Sequence, residues 1–202
     1  MYTILIMEKS RFNIFHSFFL LLIVLHYSIS FAFFNGIVFP TTTDVFDSEI
    51  VFNKILGNIF TGDFYIYNSL LNGEYKWFYF TRIFFITNFF YAFFNPEIAF
   101  LLLDFLIKTF AYLSFFKLSK LLKNSEYTSF LLGIIYSYAA TVSITDYYSS
   151  LFGFGSAVLP YLAYLTLSEK KLKVRNYFII IFSALNSHFY FAIIMTIFPF
   201  II

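Results

Sequence analysis

Apolar stretches about as long as a bilayer is thick recur along this sequence, and they constrain its fold more than any other feature. A helix needs roughly 20 apolar residues to cross a hydrocarbon core of about 30 Å. The sequence therefore predicts an all-α fold, a polytopic transmembrane helical bundle of about five spans that forms a single membrane domain over 1–202. The predicted spans are residues 12–34, 96–116, 127–145, 147–167 and 177–202.

The composition argues against a soluble alternative. The chain is 60% hydrophobic and only 12% charged, whereas about a quarter of the residues of a soluble domain are charged. It contains no Cys, which excludes disulfides, thiolate metal sites and cysteine nucleophiles. A net charge of +2 is too small to indicate nucleic acid as a partner, so membrane lipid is the partner that the composition favours.

The distribution of basic residues predicts the orientation of the chain. Short cytoplasmic loops are rich in Lys and Arg. With a cytoplasmic N-terminus, nine of the 13 basic residues fall inside, and most acidic residues fall outside. The inside residues are Lys9, Arg11, Lys117, Lys120, Lys123, Lys170, Lys171, Lys173 and Arg175. We therefore expect a multi-pass protein of the cell membrane.

Residues 35–95 form a long outer loop in this topology. Two stretches within it, 49–60 and 81–94, have the apolar and polar pattern of helices that lie in the membrane interface. The densest polar run of the loop, Thr41 to Glu49, begins just beyond the first span. The loop is thus the first place to look for extracytoplasmic chemistry.

Asp44, Asp47 and Glu49 are the candidate catalytic residues of that run. A carboxylate can act as the general base on an acceptor hydroxyl. Paired carboxylates can also hold a divalent cation beside a phosphate leaving group, so such a cation is the one cofactor that remains open. The alternative is structural, because Asp47 could cap a helix start with Glu49 in the first turn.

Other polar residues are candidates for binding. Arg82 could hold a lipid phosphate with its guanidinium group, and Asp146, in the short turn between the third and fourth spans, could approach Asp47. Alternatively, Arg82 is an ordinary interfacial anchor and Asp146 is an ordinary turn residue. Asp104 and Lys108 lie four apart within the second span, where they share a helix face and can pair.

The order of these parts resembles a known family. The run from Asp44 to Leu56, containing Asp47-Ser48-Glu49, and the later Phe93-Phe94-Asn95-Pro96 are similar to the N-terminal part of the GT-C superfamily of membrane glycosyltransferases. Within it, the chain most resembles the YkoS-like family of bacterial multi-pass proteins. The resemblance implies transfer of a sugar from a polyprenyl-phosphate donor on the extracytoplasmic side, with Asp47 at the reaction centre assisted by Glu49 or Asp44.

Two other functions remain open from the sequence. A transporter or flippase for a lipid-linked precursor would use polar residues within the spans, namely Asp104, Lys108 and His188. A non-enzymatic subunit of a membrane assembly would need none of the loop carboxylates. GT-C proteins usually have eight or more spans, and this chain stops within an apolar run, so we expect an N-terminal fragment of a longer protein.

Overall fold

A computed structural model describes residues 2–34, 54, 57, 60, 86–139, 150–168, 174–187 and 189–197. All regular secondary structure in these residues is helical, which confirms the predicted all-α class for this part of the chain. The helices are α1 (Tyr2–Phe34), α2 (Ile86–Phe93), α3 (Pro96–Leu121), α4 (Glu126–Ser137), α5 (Ser150–Ser168), α6 (Val174–Leu185) and α7 (Phe189–Ile197).

Helix α3 begins and ends at recognisable signals. The Asn95 side chain accepts a hydrogen bond from the Ile98 N–H at 2.9 Å, and Pro96 occupies the first helical position, where its missing N–H has no helical partner. At the other end Lys123 adopts a φ of 64°, and the N–H groups of Lys123 and Asn124 donate to the carbonyls of Lys120 and Ser119. This Schellman arrangement stops the helix and turns the chain into α4.

The core lies around α3, which packs against both α4 and α5. Ile107 and Ala111 of α3 cluster with Ala157 of α5, while Tyr112 and Phe116 cluster with Phe130 of α4. Small residues permit this close packing, since a Cβ on Gly133 would lie 2.8 Å from the Tyr112 ring. Helix α3 is therefore the centre on which the other helices are positioned.

Side-chain contacts fix the direction of each helix against α3. His16 and Tyr27 of α1 contact Tyr112 and Asp104, so α1 is antiparallel to α3. Helix α4 is also antiparallel, because it follows α3 through a tight turn. In contrast, Phe110 stacks near Phe154 and Lys117 lies over the Tyr161 ring, so α5 is parallel to α3.

Among the described residues, two helices are long and apolar enough to cross a membrane by length and composition, over Ile14–Phe33 and Pro96–Leu121. Half of the window in α3 is buried by other helices, against 12% of the window in α1. Most of the α1 side chains that the structure describes are therefore exposed, and they are largely Leu, Ile, Val and Phe. An apolar helix with such a surface is suited to lipid as its solvent.

The remaining predicted spans correspond to shorter helices. The apolar parts of α5 and α6 cover Phe152–Ser168 and Asn176–Leu185, and α4 covers the first part of the predicted third span. The fifth predicted span, 177–202, is divided, since α6 ends at Leu185 and α7 begins at Phe189. Five spans in a bundle therefore remain a prediction.

Helix α7 packs against both α6 and α5. Its Met195 shares a buried cluster with Ile180 of α6 and Val158 of α5. Phe191 lies so close to Gly155 that a Cβ there would be 2.5 Å from its ring. The break after α6 is thus enclosed by protein, the setting in which a bilayer protein tolerates irregular backbone.

Candidate functional site

The predicted catalytic residues Asp44, Asp47 and Glu49 lie outside the described residues, as do Arg82 and Asp146. The predictions made for these five residues therefore remain predictions. His188, named for the transporter alternative, is also outside them. What the structure describes is the polar cluster on α3 and the junction at the Pro96 end of α3.

The polar cluster is built around the ion pair that the sequence spacing predicts. Lys108 Nζ donates to Asp104 Oδ2 at 2.5 Å, with 1% and 3% of the two side chains exposed. The Tyr27 hydroxyl of α1 donates to the same Oδ2 at 2.5 Å. Asp104 lies eight residues into α3, or about 12 Å from Pro96 along the helix, so the pair is well inside the apolar segment.

Aromatic rings surround the Lys108 ammonium. Its Nζ lies 5.9 Å from the centre of the Tyr27 ring and 5.7 Å from that of Tyr138, just after α4. His26 packs edge-on against both tyrosine rings, at 5.2 and 5.4 Å. Residues of α1 and α3 and the end of α4 thus meet at one charge, and cation–π contacts stabilise it away from water.

The chemistry available to this cluster depends on which oxygens of Asp104 already accept hydrogen bonds. Asp104 Oδ2 accepts two hydrogen bonds, whereas Oδ1 is buried without a hydrogen-bond partner in the part of the chain that the structure describes. A paired, desolvated carboxylate and ammonium are costly to place in an apolar segment, and such groups usually mark function or fix helix packing. The cluster can therefore bind a donor at Oδ1 or fasten α1 to α3.

The second polar region is the junction around α2, at the Pro96 end of α3. The first N–H of α2, on Ile86, donates to the Asn186 side-chain oxygen in the break between α6 and α7. At the other end Lys54 Nζ donates to the Tyr91 carbonyl at 2.8 Å. The first N–H groups and the last carbonyls of a helix bond outside its own ladder, and here distant residues cap α2 at both ends.

Gly57 brings the first half of the loop against α2. A Cβ at this position would lie 2.8 Å from the Ala92 nitrogen and the Asn88 oxygen, so only glycine permits the approach. Together with Lys54, it joins the two stretches, 49–60 and 81–94, for which the sequence predicts interfacial helices. The sequence contained no signal for this pairing, because the two stretches are some thirty residues apart.

Within the described ranges, no group of three His, Asp or Glu side chains could hold a metal ion. The divalent cation considered above would instead depend on Asp44, Asp47 and Glu49, which lie outside those ranges. The part of the chain that the structure describes is thus all-helical, and two of its helices are long and apolar enough to cross a membrane. Comparison with protein families, curated proteins and solved structures finds no match for this chain.

Proposed function

We propose that this chain belongs to a GT-C-like membrane glycosyltransferase that transfers a sugar from a polyprenyl-phosphate donor on the extracytoplasmic side. The observation that carries the proposal is the antiparallel packing of α1 and α3, given by the His16–Tyr112 and Tyr27–Asp104 hydrogen bonds. If both helices cross the membrane, residues 35–95 connect them on one face of it. The acidic run then belongs to a single loop on that face.

The direction of the other helices supports the same topology. Helix α5 is parallel to α3, as Phe110–Phe154 and Lys117–Tyr161 indicate. The loop residues and the connection from α4 to α5 would therefore lie on one face, and Lys117, Lys120 and Lys123 near the opposite one. That is the charge distribution expected with the lysines in the cytoplasm.

The folded junction around α2 supports a role for the loop at the bilayer surface. Lys54 donates to the carbonyl of Tyr91. Tyr91 belongs to the stretch 81–94, which leads into α3. Asp47 precedes Lys54 by only seven residues, which a fully extended chain spans in about 25 Å. The proposal therefore puts the carboxylates near this end of the helix bundle.

The proposed reaction needs a base and a stabilised leaving group. Asp47 would accept the proton of an acceptor hydroxyl while the oxygen of that hydroxyl bonds to the anomeric carbon of the sugar. The bond from that carbon to the phosphate oxygen breaks, and polyprenyl phosphate leaves with the electron pair. Arg82 would bind this phosphate, because a guanidinium matches its geometry and charge. Glu49 and Asp44 would assist, alone or through a divalent cation.

The proposal is tested with Asp47→Asn in cells that lack the chain, with the extracellular glycans measured by mass spectrometry. Glu97→Gln is the matched control, because Glu97 is an exposed carboxylate in the first turn of α3 near the same face. We expect Asp47→Asn to lose the glycan modification while its membrane expression matches that of Glu97→Gln. Normal glycans with Asp47→Asn would overturn the proposal.

A transporter for a lipid-linked precursor is the second candidate, and the Asp104–Lys108 pair is the observation that favours it. Transporters place polar groups at the middle of the membrane beside broken helices, and the interruption between α6 and α7 adds to the likeness. Transbilayer movement of a fluorescent polyprenyl-phosphate probe in proteoliposomes would test it. A transporter should lose this movement when Asp104→Leu and Lys108→Leu are combined, and unchanged movement would exclude it.

A further inference from the structure

Helix α2 buries polar side chains and exposes large apolar ones. Thr87 and Asn88 are buried, as are Tyr91 and Ala92, whereas Phe89 and Phe93 are 49% and 57% exposed. Tyr91 packs with Phe100 and Leu103 of α3. A helix on the surface of a water-soluble domain exposes its polar side chains. Buried Thr and Asn side chains together with two exposed phenyl groups are expected where the outer side of the helix does not face water.

The exposed phenyl groups form one surface. Phe60, from the first half of the loop, packs edge-on against Phe89 at 6.2 Å, and Phe89 contacts Phe93 at 4.9 Å. Phe94 follows at the end of the helix and is 39% exposed. We refer to Phe60, Phe89, Phe93 and Phe94 as the aromatic face.

The buried side of α2 is occupied by protein. Asn186 accepts from the Ile86 N–H, and Lys54 donates to the Tyr91 carbonyl. Gly57 approaches the helix backbone too closely for any side chain. These contacts fix the rotation of α2 about its axis, so the aromatic face cannot turn inward without breaking them.

The position of the aromatic face along the chain indicates what covers it. Only Phe94 and Asn95 separate α2 from α3, a helix long and apolar enough to cross a membrane. Helix α3 itself exposes apolar side chains at Ile98, Leu106 and Leu113. The aromatic face therefore lies next in the chain to a helix whose outer side chains suit lipid.

We propose that the aromatic face inserts into the boundary between headgroups and acyl chains of the leaflet at the Pro96 end of α3. Its partner is bulk phospholipid acyl chain, and the insertion holds the loop flat against the membrane. Phenyl groups gain from leaving water at this depth, while the buried side of α2 stays in contact with protein. The inference holds whichever reaction the loop serves.

Tryptophan fluorescence tests the insertion in phosphatidylcholine nanodiscs. The chain has one Trp, Trp77, so Trp77→Phe provides a dark background for Phe93→Trp and, as a second probe, Phe89→Trp. Leu106→Trp on the exposed side of α3 is the matched control at greater depth. Quenching is measured with acyl chains brominated near the headgroup or near the methyl end, and with acrylamide in the water.

We expect the probes at positions 89 and 93 to be quenched most by bromine near the headgroup and only weakly by acrylamide. Leu106→Trp should be quenched most by the deeper bromine. Strong acrylamide quenching without bromine quenching would overturn the proposal, because the face would then meet water. Protection from both quenchers would also overturn it, since a second copy or another protein would cover the face. Neither result bears on the Asp47→Asn test of catalysis.

Discussion

The Tyr136 hydroxyl of α4 donates a hydrogen bond to the Ser156 carbonyl of α5 at 2.7 Å. That carbonyl would bond to the N–H of residue 160 in a regular helix, but Pro160 has none. A side chain from the neighbouring helix thus supplies the donor that the proline removes. In an apolar environment this donor matters, because water cannot replace it.

Tyr136→Phe should therefore destabilise the protein by about 1–3 kcal/mol, the cost of leaving a buried carbonyl unsatisfied. Pro160→Ala restores the missing N–H within α5, so the same tyrosine substitution should cost much less in that background. Equilibrium unfolding of the four proteins in lipid–detergent micelles measures this coupling. An equal loss of unfolding free energy in both backgrounds would show that the hydroxyl does not compensate for the N–H missing at Pro160.

The Asp104–Lys108 pair leads to a second prediction. Lys108→Leu alone should cost about 3–5 kcal/mol, because it leaves the Asp104 carboxylate buried without its counter-ion. Combining it with Asp104→Leu removes both charges and should recover most of that loss. The measurement is again equilibrium unfolding, with Lys117→Leu as a control for a lysine on the same helix that is exposed. A double variant that is no more stable than Lys108→Leu would contradict this account.

The attachment of α1 gives a third prediction. Tyr27→Phe removes the hydrogen bond to Asp104 Oδ2 but keeps the ring beside Lys108. We expect a loss of about 1 kcal/mol, the size of a typical hydrogen bond between membrane helices. Equilibrium unfolding in lipid–detergent micelles, compared with the parent chain, measures this loss. Unchanged stability would show that Tyr27 does not fasten α1.

Gly57→Ala is the fourth prediction, and it concerns the loop junction. The new Cβ would meet backbone atoms of Asn88 and Ala92 at 2.8 Å, and backbone cannot rotate aside as a side chain can. The first half of the loop should therefore separate from α2, and limited proteolysis of the loop should become several-fold faster. Lys54→Met, which removes one hydrogen bond to Tyr91 without a clash, should have a smaller effect. Equal protease resistance in all three proteins would contradict the packing.

The topology gives a fifth prediction, and the absence of Cys makes it simple to test. Ser48→Cys should react with a membrane-impermeant maleimide in intact cells, because it lies in the proposed outer loop. Leu122→Cys, exposed in the turn after α3, should react only after the membrane is permeabilised. The reverse pattern would overturn the orientation and the proposed sugar transfer together.

Much of the helical structure follows from the sequence because its causes are local. Asn95-Pro96 predicts the start of α3, and the spacing of Asp104 and Lys108 predicts their pairing on one face. Sequence periodicity does not predict the division of the fifth apolar stretch. Its Asn186 bonds across to Ile86, and that partner is visible only in three dimensions.

The sequence by itself predicted helices whose surface suits lipid and named the residues that could carry chemistry, and the described residues are helical. Only the tertiary structure decided the partners: Tyr27 for Asp104, Tyr136 for the carbonyl freed by Pro160, and Lys54 for the end of α2. The physical reason is that a polar group inside an apolar segment must form a hydrogen bond or an ion pair. The sequence shows which polar groups need a partner. Many distant side chains could be that partner, and helix packing selects one.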